Sequence, residues 1–168
     1  MFEGVIVDQN PHWEGALYQE GVPRGILGKV KDYLDLPHVI ALVGVRRSGK
    51  STLVRQTINY LIRDKGVPPR NIVFLNLENP QFSRYRADVS YLERAYQDYL
   101  KLVAPQGTVY CFLDEVHFFS EWQVFVKAKY EQQGIKFVVT GSNSHLLSSE
   151  FIPYGDPRDP SVPYTLDR

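Results

Sequence analysis

Residues 44–51 read Gly44-Val45-Arg46-Arg47-Ser48-Gly49-Lys50-Ser51, which follows the pattern G-x-x-x-x-G-K-S. The glycines of this stretch let the backbone curl until successive N–H groups point at one anion. Lys50 is expected to add a positive charge at the β- and γ-phosphates, and the Ser51 hydroxyl is a ligand for Mg²⁺. A helix that begins at Gly49 directs its positive end at the same anion. The stretch therefore predicts a site for the polyphosphate of a nucleoside triphosphate.

The residues around this stretch alternate between short β-rich runs and helical patterns. The apolar run 39–43 leads directly into the stretch, as a buried parallel strand does, and a helix with one apolar face is predicted over about 49–64. Further strands are predicted at 72–77, 109–113 and 135–140, and further helices at 89–103 and 121–132. Repeated strand–helix units predict an α/β domain of three layers, in which helices cover both faces of a mostly parallel sheet.

Two regions lie outside this alternation. Residues 1–38 are expected to form an N-terminal lead-in that packs on the core, and the core itself is placed at 39–150. Residues 151–168 carry four prolines and few signals of a buried strand. We therefore expect an extended or disordered tail there.

The overall composition narrows the class of protein. The chain has 168 residues, of which 43% are hydrophobic and 23% charged, as in an ordinary globular domain. Because 19 basic residues balance 19 acidic ones, no global basic field indicates nucleic acid. The single cysteine excludes a disulfide framework within the chain and fits a reducing compartment. No apolar run approaches the ~18 residues of a membrane span, and no signal peptide is evident. We expect a cytoplasmic location.

Two carboxylates, Asp114 and Glu115, follow the predicted strand 109–113. Ligands of open parallel sheets bind where the strands end, so Asp114 is expected to hold Mg²⁺ opposite Ser51. Glu115 is the candidate that orients or deprotonates an attacking water. The alternative is that the pair only ends the strand with polar residues; the phosphate-binding stretch favours the metal-and-base interpretation. His117 could couple the nucleotide state to movement, although a structural role is favoured for it.

Polar residues also follow the predicted strand 135–140. If that strand lies between the first and the third, Ser142 or Asn143 would reach the γ-phosphate or the lytic water and would sense the nucleotide state. The alternative is that these residues cap a short helix at 144–150, and both roles can hold for adjacent residues. The candidate catalytic residues are therefore Lys50, Glu115, Ser142 and Asn143.

The identity of the base is inferred by exclusion. The chain has no Asn-Lys-x-Asp segment of the kind that reads guanine, so adenine is the default. Adenine contacts are expected near the lead-in, with Val22, Pro23 and Arg24 as candidates. Nucleotide contacts are otherwise expected from residues 44–52, which include Thr52. The side chains of Arg46 and Arg47 are expected to be exposed and solvated, although one of them could neutralise phosphate charge.

The chain resembles prokaryotic AAA-type ATP-binding proteins of the archaeal-ATPase branch, which are related to the STAND NTPases. The matching segments are Leu42-Val43-Gly44-Val45-Arg46-Arg47-Ser48-Gly49-Lys50-Ser51-Thr52-Leu53, Phe112-Leu113-Asp114-Glu115-Val116-His117 and Val139-Thr140-Gly141-Ser142-Asn143-Ser144-His145-Leu146-Leu147-Ser148-Ser149-Glu150. The paired arginines and the Thr-Gly-Ser-x-Ser-x-Leu-Leu-Ser-Ser string are more specific than a generic phosphate-binding loop. The resemblance covers roughly residues 22–150.

The resemblance implies a P-loop NTPase core of the ASCE type with strand order 5-1-4-3-2. It implies ATP and Mg²⁺ as ligands, and it supports the roles given above to Lys50, Ser51, Asp114 and Glu115. Family members continue beyond a stretch like 147–150 into a fifth strand and a C-terminal domain. Because residues 151–168 differ from that pattern, the fifth strand is expected to be missing. A shortened member, a fragment and a change of reading frame would each explain the difference.

Two functions follow from these observations. The first is an ATP-binding domain whose Mg²⁺-dependent hydrolysis drives a conformational change. The alternative is a switch or interaction module that binds ATP with little turnover, because C-terminal parts of the active site are absent. A homo-oligomer or a protein partner fits either function, nucleic acid enters only by family analogy, and no membrane partner is expected.

Overall fold

The computed structural model describes residues 1–19, 21, 27–36, 39–44, 49–132, 134–142 and 164–166. Its strands are β1 (Ile40–Gly44), β2 (Ile72–Asn76), β3 (Val109–Asp114), β4 (Ile135–Gly141) and β5 (Tyr164–Leu166). Its helices are α1 (Glu3–Gln9), α2 (Leu27–Tyr33), α3 (Lys50–Arg63), α4 (Ser90–Val103) and α5 (Trp122–Tyr130). Short 3₁₀ turns lie at Pro11–Glu14, Pro69–Asn71, Pro80–Phe82 and Val116–Phe118.

The strands form one parallel sheet in the order β2-β3-β4-β1-β5. This is the strand order that the resemblance implied, so that prediction is confirmed. Because β4 lies between β1 and β3, the end of β1 and the end of β3 are separated by one strand. A cleft at this edge can therefore receive side chains from β3 and β4 as well as from the helix that follows β1.

Two apolar clusters, one on each face of the sheet, give the fold its three layers. Alternation along β1 sends Ala41 and Val43 into the cluster that α1, α4 and α5 cover. It sends Ile40 and Leu42 into the cluster that α2 and α3 cover. The predicted α/β class with helices on both faces is therefore confirmed.

The expectation that the fifth strand is missing is wrong. Tyr164–Leu166 pairs in parallel with β1, with Leu42 opposite Tyr164 and Gly44 opposite Leu166. Tyr and Thr are good strand formers, and a proline immediately before an edge strand is compatible with pairing. Three residues inside a proline-rich stretch are too short for a periodic pattern, which is why the sequence did not reveal the strand.

The free edge of β2 is covered by polar side chains from the N-terminal segment. The Asn10 amide donates to the carbonyl oxygen of Phe74 at 2.9 Å, and its Oδ1 accepts from the Phe74 N–H at 2.7 Å. Gln9 pairs with Asn76 in the same way, at 3.3 and 3.1 Å. Each side-chain amide thus replaces one residue of a neighbouring strand. An edge whose N–H and C=O groups are paired is no longer a template for another chain.

The cover continues at the start of β2. The Trp13 indole N–H donates to the Ile72 carbonyl oxygen at 2.8 Å, and His12 Nε2 lies 2.8 Å from the same oxygen. Because a carbonyl only accepts, Nε2 carries the proton, and Nδ1 accepts from the Tyr18 hydroxyl at 2.9 Å. Burial lowers the pKa of His12, which keeps this neutral arrangement.

Asn10→Ala is expected to lower the free energy of unfolding by about 2–4 kcal/mol, because the variant leaves the Phe74 N–H and C=O without partners. It also removes the bond from the Asn10 amide to the Ile6 carbonyl oxygen. Urea denaturation followed by circular dichroism measures the change. Asp8→Ala, an exposed change in the helix that Asn10 follows, is the control and should stay within about 0.5 kcal/mol. Equal stability of the two variants would contradict the role assigned to Asn10.

Candidate functional site

A cavity of about 370 Å³ lies where β2 and β3 end and α3 begins. Its lining residues are Gly49, Lys50, Ser51, Thr52, Asn76, Glu78, Asp114 and Glu115. The predicted residues Gly49–Thr52 and the predicted pair Asp114 and Glu115 therefore meet in one cavity. Gly44, also predicted, is the last residue of β1.

The start of α3 is shaped for an anion. Gly49 precedes the helix with φ of 96°, a left-handed conformation that strains any residue with a Cβ. Its carbonyl oxygen accepts from the Leu53 N–H at 3.0 Å, and this bond opens the helix. The N–H groups of the first turn have no partners within a helix, and the helix dipole adds a partial positive charge there. These features favour a negatively charged ligand.

Opposite charges are buried together in this cavity. Lys50 and Asp114 are each 6% exposed. Burial raises the pKa of the Asp114 carboxyl, while the hydrogen bond from Thr140 and the positive charge of Lys50 oppose that rise. An uncompensated buried charge is costly, so the Lys50 ammonium stabilises the charged form of the Asp114 carboxyl.

Thr140, near the end of β4, holds both acidic residues of β3's end. Its hydroxyl donates to Asp114 Oδ1 at 2.5 Å and accepts from the Glu115 N–H at 3.0 Å. Thr140 is itself buried. Ser142 and Asn143 are the polar residues predicted for this strand end, and the prediction did not include Thr140. The signal was available, because a threonine at the end of a buried apolar strand has to find a hydrogen-bond partner.

The Glu115 backbone is in a left-handed conformation, with φ of 56° and ψ of 53°. Residues other than glycine rarely adopt it, and such strained positions concentrate at functional sites. The bond from the Glu115 N–H to Thr140 helps to hold this conformation. The Glu115 carboxylate Oε2 lies 3.5 Å from His117 Nδ1, and both side chains are partly exposed.

Two further polar residues in the cavity come from the end of β2. Asn76 is the last residue of the strand and lies in register with Asp114. Its Oδ1 accepts from the Glu78 N–H at 3.0 Å, which holds the turn that brings Glu78 to the cavity. The strand predicted at 72–77 extends one residue beyond β2, and no site role was predicted for Asn76 or Glu78. A polar residue at the end of a third neighbouring strand was the signal that was overlooked.

A smaller cavity of about 170 Å³ adjoins the first and shares Ser51, Asn76 and Asp114 with it. Tyr18 of the N-terminal segment lines this cavity, and its main chain is held by Asn59 of α3. Burial raises the pKa of the Tyr18 hydroxyl to about 12, so it stays protonated. The N-terminal segment therefore contacts the immediate neighbourhood of the site.

Several predicted site residues lie outside the described residues. These are Val45, Arg46, Arg47, Ser48, Val22, Pro23, Arg24 and Asn143. Ser142 is described, is partly buried, and follows β4 directly. Within the described parts of the chain, no helix is both long and apolar enough to cross a membrane.

Two curated relatives match most of the chain. An uncharacterised protein of Haemophilus influenzae is 33% identical over 124 residues, which are 74% of this chain and 30% of that protein. Uncharacterised protein MJ1637 of Methanocaldococcus jannaschii is 25% identical over 120 residues, which are 69% of this chain and 24% of that protein. The matched region thus spans less than a third of either relative.

A solved structure supports the fold. PCH-2 of C. elegans superposes with a TM-score of 0.57 over 95% of this chain and 46% of that one, at 13% identity. A likeness at this identity shows the fold alone.

A family model described as an AAA domain matches residues 37–158, which is most of the chain. The assignment to the archaeal-ATPase branch and the idea of a shortened member stay predictions. The matched range contains residues 44–51, the start of α3 and the ends of β2 and β3, and the cavity is lined from the last three. The chain belongs to the family of AAA domains and is a nucleotide-binding P-loop domain.

Proposed function

We propose that this domain binds ATP together with Mg²⁺ and hydrolyses it, and that hydrolysis drives a conformational change. The observation that carries the proposal is the composition of the cavity. One wall holds the buried Lys50 ammonium and the start of α3, and the other holds Asp114 and Glu115. A triphosphate needs the first wall, and a metal ion with a water-activating base needs the second.

The phosphates would be held by the start of α3 and by residues 44–48. Backbone N–H groups bind phosphate oxygens, and Lys50 supplies the charge at the β- and γ-phosphates. The cavity volume of about 370 Å³ is within the range of small-molecule sites. Thr52 lines the same cavity and would add a hydroxyl to the phosphate site.

The oxygen atoms in the cavity fit Mg²⁺, which prefers hydroxyl, carboxylate and water ligands. Ser51 and Asp114 would hold the ion, and the charged form of Asp114 is the one that Lys50 and Thr140 favour. When bound, Mg²⁺ neutralises charge that develops on the phosphate oxygens. Asn76 and Glu78 line the same cavity and would offer oxygen atoms to the water shell of the ion.

Glu115 would act as the base or would orient the attacking water. Its backbone N–H is fixed by Thr140, so the carboxylate starts from a defined position at the cavity wall. Ser142 and Asn143 are proposed to sense the γ-phosphate, and Pro23 and Arg24 to contact adenine. The same proposal divides the chain into a lead-in at 1–38, a core at 39–150 and a tail at 151–168. It also includes a cytoplasmic location and a homo-oligomeric or protein partner.

A phosphate-release assay on the wild-type protein tests this function. We expect turnover of ATP with Mg²⁺ and none with excess EDTA, because Ser51 and Asp114 would hold an ion that neutralises phosphate charge. Binding is measured separately by calorimetry with a non-hydrolysable ATP analogue. Release at the background rate with Mg²⁺ would sink the hydrolysis proposal, and undetectable heat of binding would sink the nucleotide proposal.

The second candidate is a switch that binds ATP and turns it over slowly. The observation that favours it is the 3.5 Å separation of His117 Nδ1 from the Glu115 carboxylate, because a protonated imidazole at that position would compete with a water for the carboxylate. Tight Mg²⁺–ATP binding with negligible phosphate release would support the switch. A kcat for ATP hydrolysis in the range that is typical of enzymes would exclude the switch.

A further inference from the structure

One arginine contacts the loop after β2 and also the turn after β3. The first loop carries Glu78 to the cavity, and the second begins at Glu115. Arg86 Nη2 donates to the Glu78 carbonyl oxygen at 2.6 Å and to the Asn79 carbonyl oxygen at 3.2 Å. These bonds fix the main chain at Glu78 and therefore limit where its side chain can lie.

The same guanidinium lies over the ring of Phe118, with its central carbon 4.7 Å from the ring centroid. The Phe118 ring lies against the His117 ring, with centroids 4.7 Å apart and planes tilted by 34°. His117 Nδ1 lies in turn 3.5 Å from the Glu115 carboxylate. A continuous series of contacts therefore runs from Arg86 to the Glu115 side chain.

The main chain of Arg86 strengthens this connection. Its carbonyl oxygen accepts from the Ser120 N–H at 2.8 Å, just beyond the turn Val116–Phe118. Arg86 thus engages the first loop with its side chain and the second with both its side chain and its main chain. Arg84, two residues earlier, is exposed and serves as a reference for the effect of losing a nearby charge.

Arginine is suited to this position by its shape. A planar guanidinium bonds carbonyl oxygens in its plane while its face stacks on an aromatic ring, and a lysine ammonium cannot do both. We propose that Arg86 is a positioning residue, which ties the loop at 77–79 to the turn at 115–119 and fixes Glu78 and Glu115 relative to each other across the cavity. The effect on turnover rests on the proposed hydrolysis; the connection between the two loops does not.

A purely structural arginine and a positioning arginine differ in what their loss changes. Loss of stability alone lowers the amount of folded protein and leaves the kinetics of the folded fraction unchanged. Loss of positioning lowers kcat while the affinity for nucleotide holds, because Lys50 and the start of α3 do not contact Arg86 in the series described. The ratio of kcat to KM and the nucleotide Kd therefore separate the two roles.

The variants are Arg86→Gln, Arg86→Lys and the control Arg84→Gln. We expect Arg86→Gln to lower kcat about tenfold or more, since small displacements of catalytic groups can cost about 10²-fold, with Kd for the ATP analogue within about twofold. Arg86→Lys should recover little of the loss, and Arg84→Gln should match the wild type. A kcat unchanged by Arg86→Gln, or full recovery by Arg86→Lys, would overturn the proposal.

Hydrogen–deuterium exchange gives a readout that needs no turnover. In Arg86→Gln, amides at 77–79 and at 115–119 are expected to exchange faster together, by about fivefold, while amides of β1 keep the wild-type rate. If Arg86→Gln does not fold, Phe118→Leu, which removes only the stacked ring, is measured instead with the same expectation. Faster exchange in one segment alone, or in neither, overturns the connection. If the wild-type protein shows no turnover, but Arg86→Gln speeds exchange at 77–79 and 115–119 together, the proposed hydrolysis is rejected and the connection between the two loops is kept.

Discussion

Glu115→Gln is expected to lower the kcat for ATP hydrolysis by about 10²- to 10⁴-fold, which is the contribution of a positioned general base. Glutamine has nearly the same shape as glutamate and keeps the backbone N–H that Thr140 holds. It cannot accept a proton from water at neutral pH. The residues proposed to hold Mg²⁺ and the phosphates are untouched, so the affinity for ATP should stay within about threefold of the wild type, a difference below 1.4 kcal/mol.

Phosphate release and calorimetry on the same preparation measure these two quantities. The control is Glu131→Gln, an exposed glutamate just beyond α5, which should behave as the wild type. Wild-type turnover by Glu115→Gln would remove Glu115 from the mechanism. A large loss of affinity would instead assign Glu115 to binding.

Lys50→Ala is expected to weaken ATP binding by about 10²-fold or more, because truncating one partner of a buried charged contact costs about 2–5 kcal/mol. The ammonium is buried in the same cavity as Asp114, and its charge is one of the groups that oppose the raised pKa of that carboxyl. Without it, the Asp114 pKa should rise further, and the carboxylate form that is proposed to bind Mg²⁺ is less favoured. Affinity for the phosphates and for the metal ion should therefore fall together.

Titration calorimetry with the ATP analogue, with and without Mg²⁺, measures the effect. Lys127→Ala, an exposed lysine of α5, is the matched control and should leave Kd unchanged. Urea denaturation excludes unfolding as the cause. Equal affinities of Lys50→Ala and the wild type would show that the nucleotide binds elsewhere.

The elements of the core could be predicted because each has a strong local signal. The apolar run 109–113 became Val109–Asp114, and the helical pattern at 49–64 became Lys50–Arg63. The spacing G-x-x-x-x-G-K-S was enough to predict Lys50 and Ser51 as site residues. The polar end of the strand at 109–113 was enough to predict Asp114 and Glu115. The parallel sheet then brings them together, since the carboxyl ends of its strands share one edge.

The remainder of the site depends on which strands are neighbours in the sheet. No local pattern in a single sequence indicates that order. Thr140 matters because β4 lies beside β3, and Asn76 matters because β2 lies on the other side. Tyr164–Leu166 is a strand only because the edge of β1 is available to it. Gln9 and Asn10 cover β2 from more than sixty positions away in the chain. In each case a tertiary contact, and not a local pattern, determines the role of the residue.

The cover over β2 affects how the boundaries of this domain are defined. The match to the family begins at residue 37, whereas the side chains that close the β2 edge lie between residues 9 and 13. A segment excised by the family match alone would carry an open strand edge, ready to pair with another copy and to precipitate. We therefore expect the smallest unit that stays monodisperse to be larger than the region by which the family is recognised. Its outer limit is determined by hydrogen bonds to Ile72, Phe74 and Asn76.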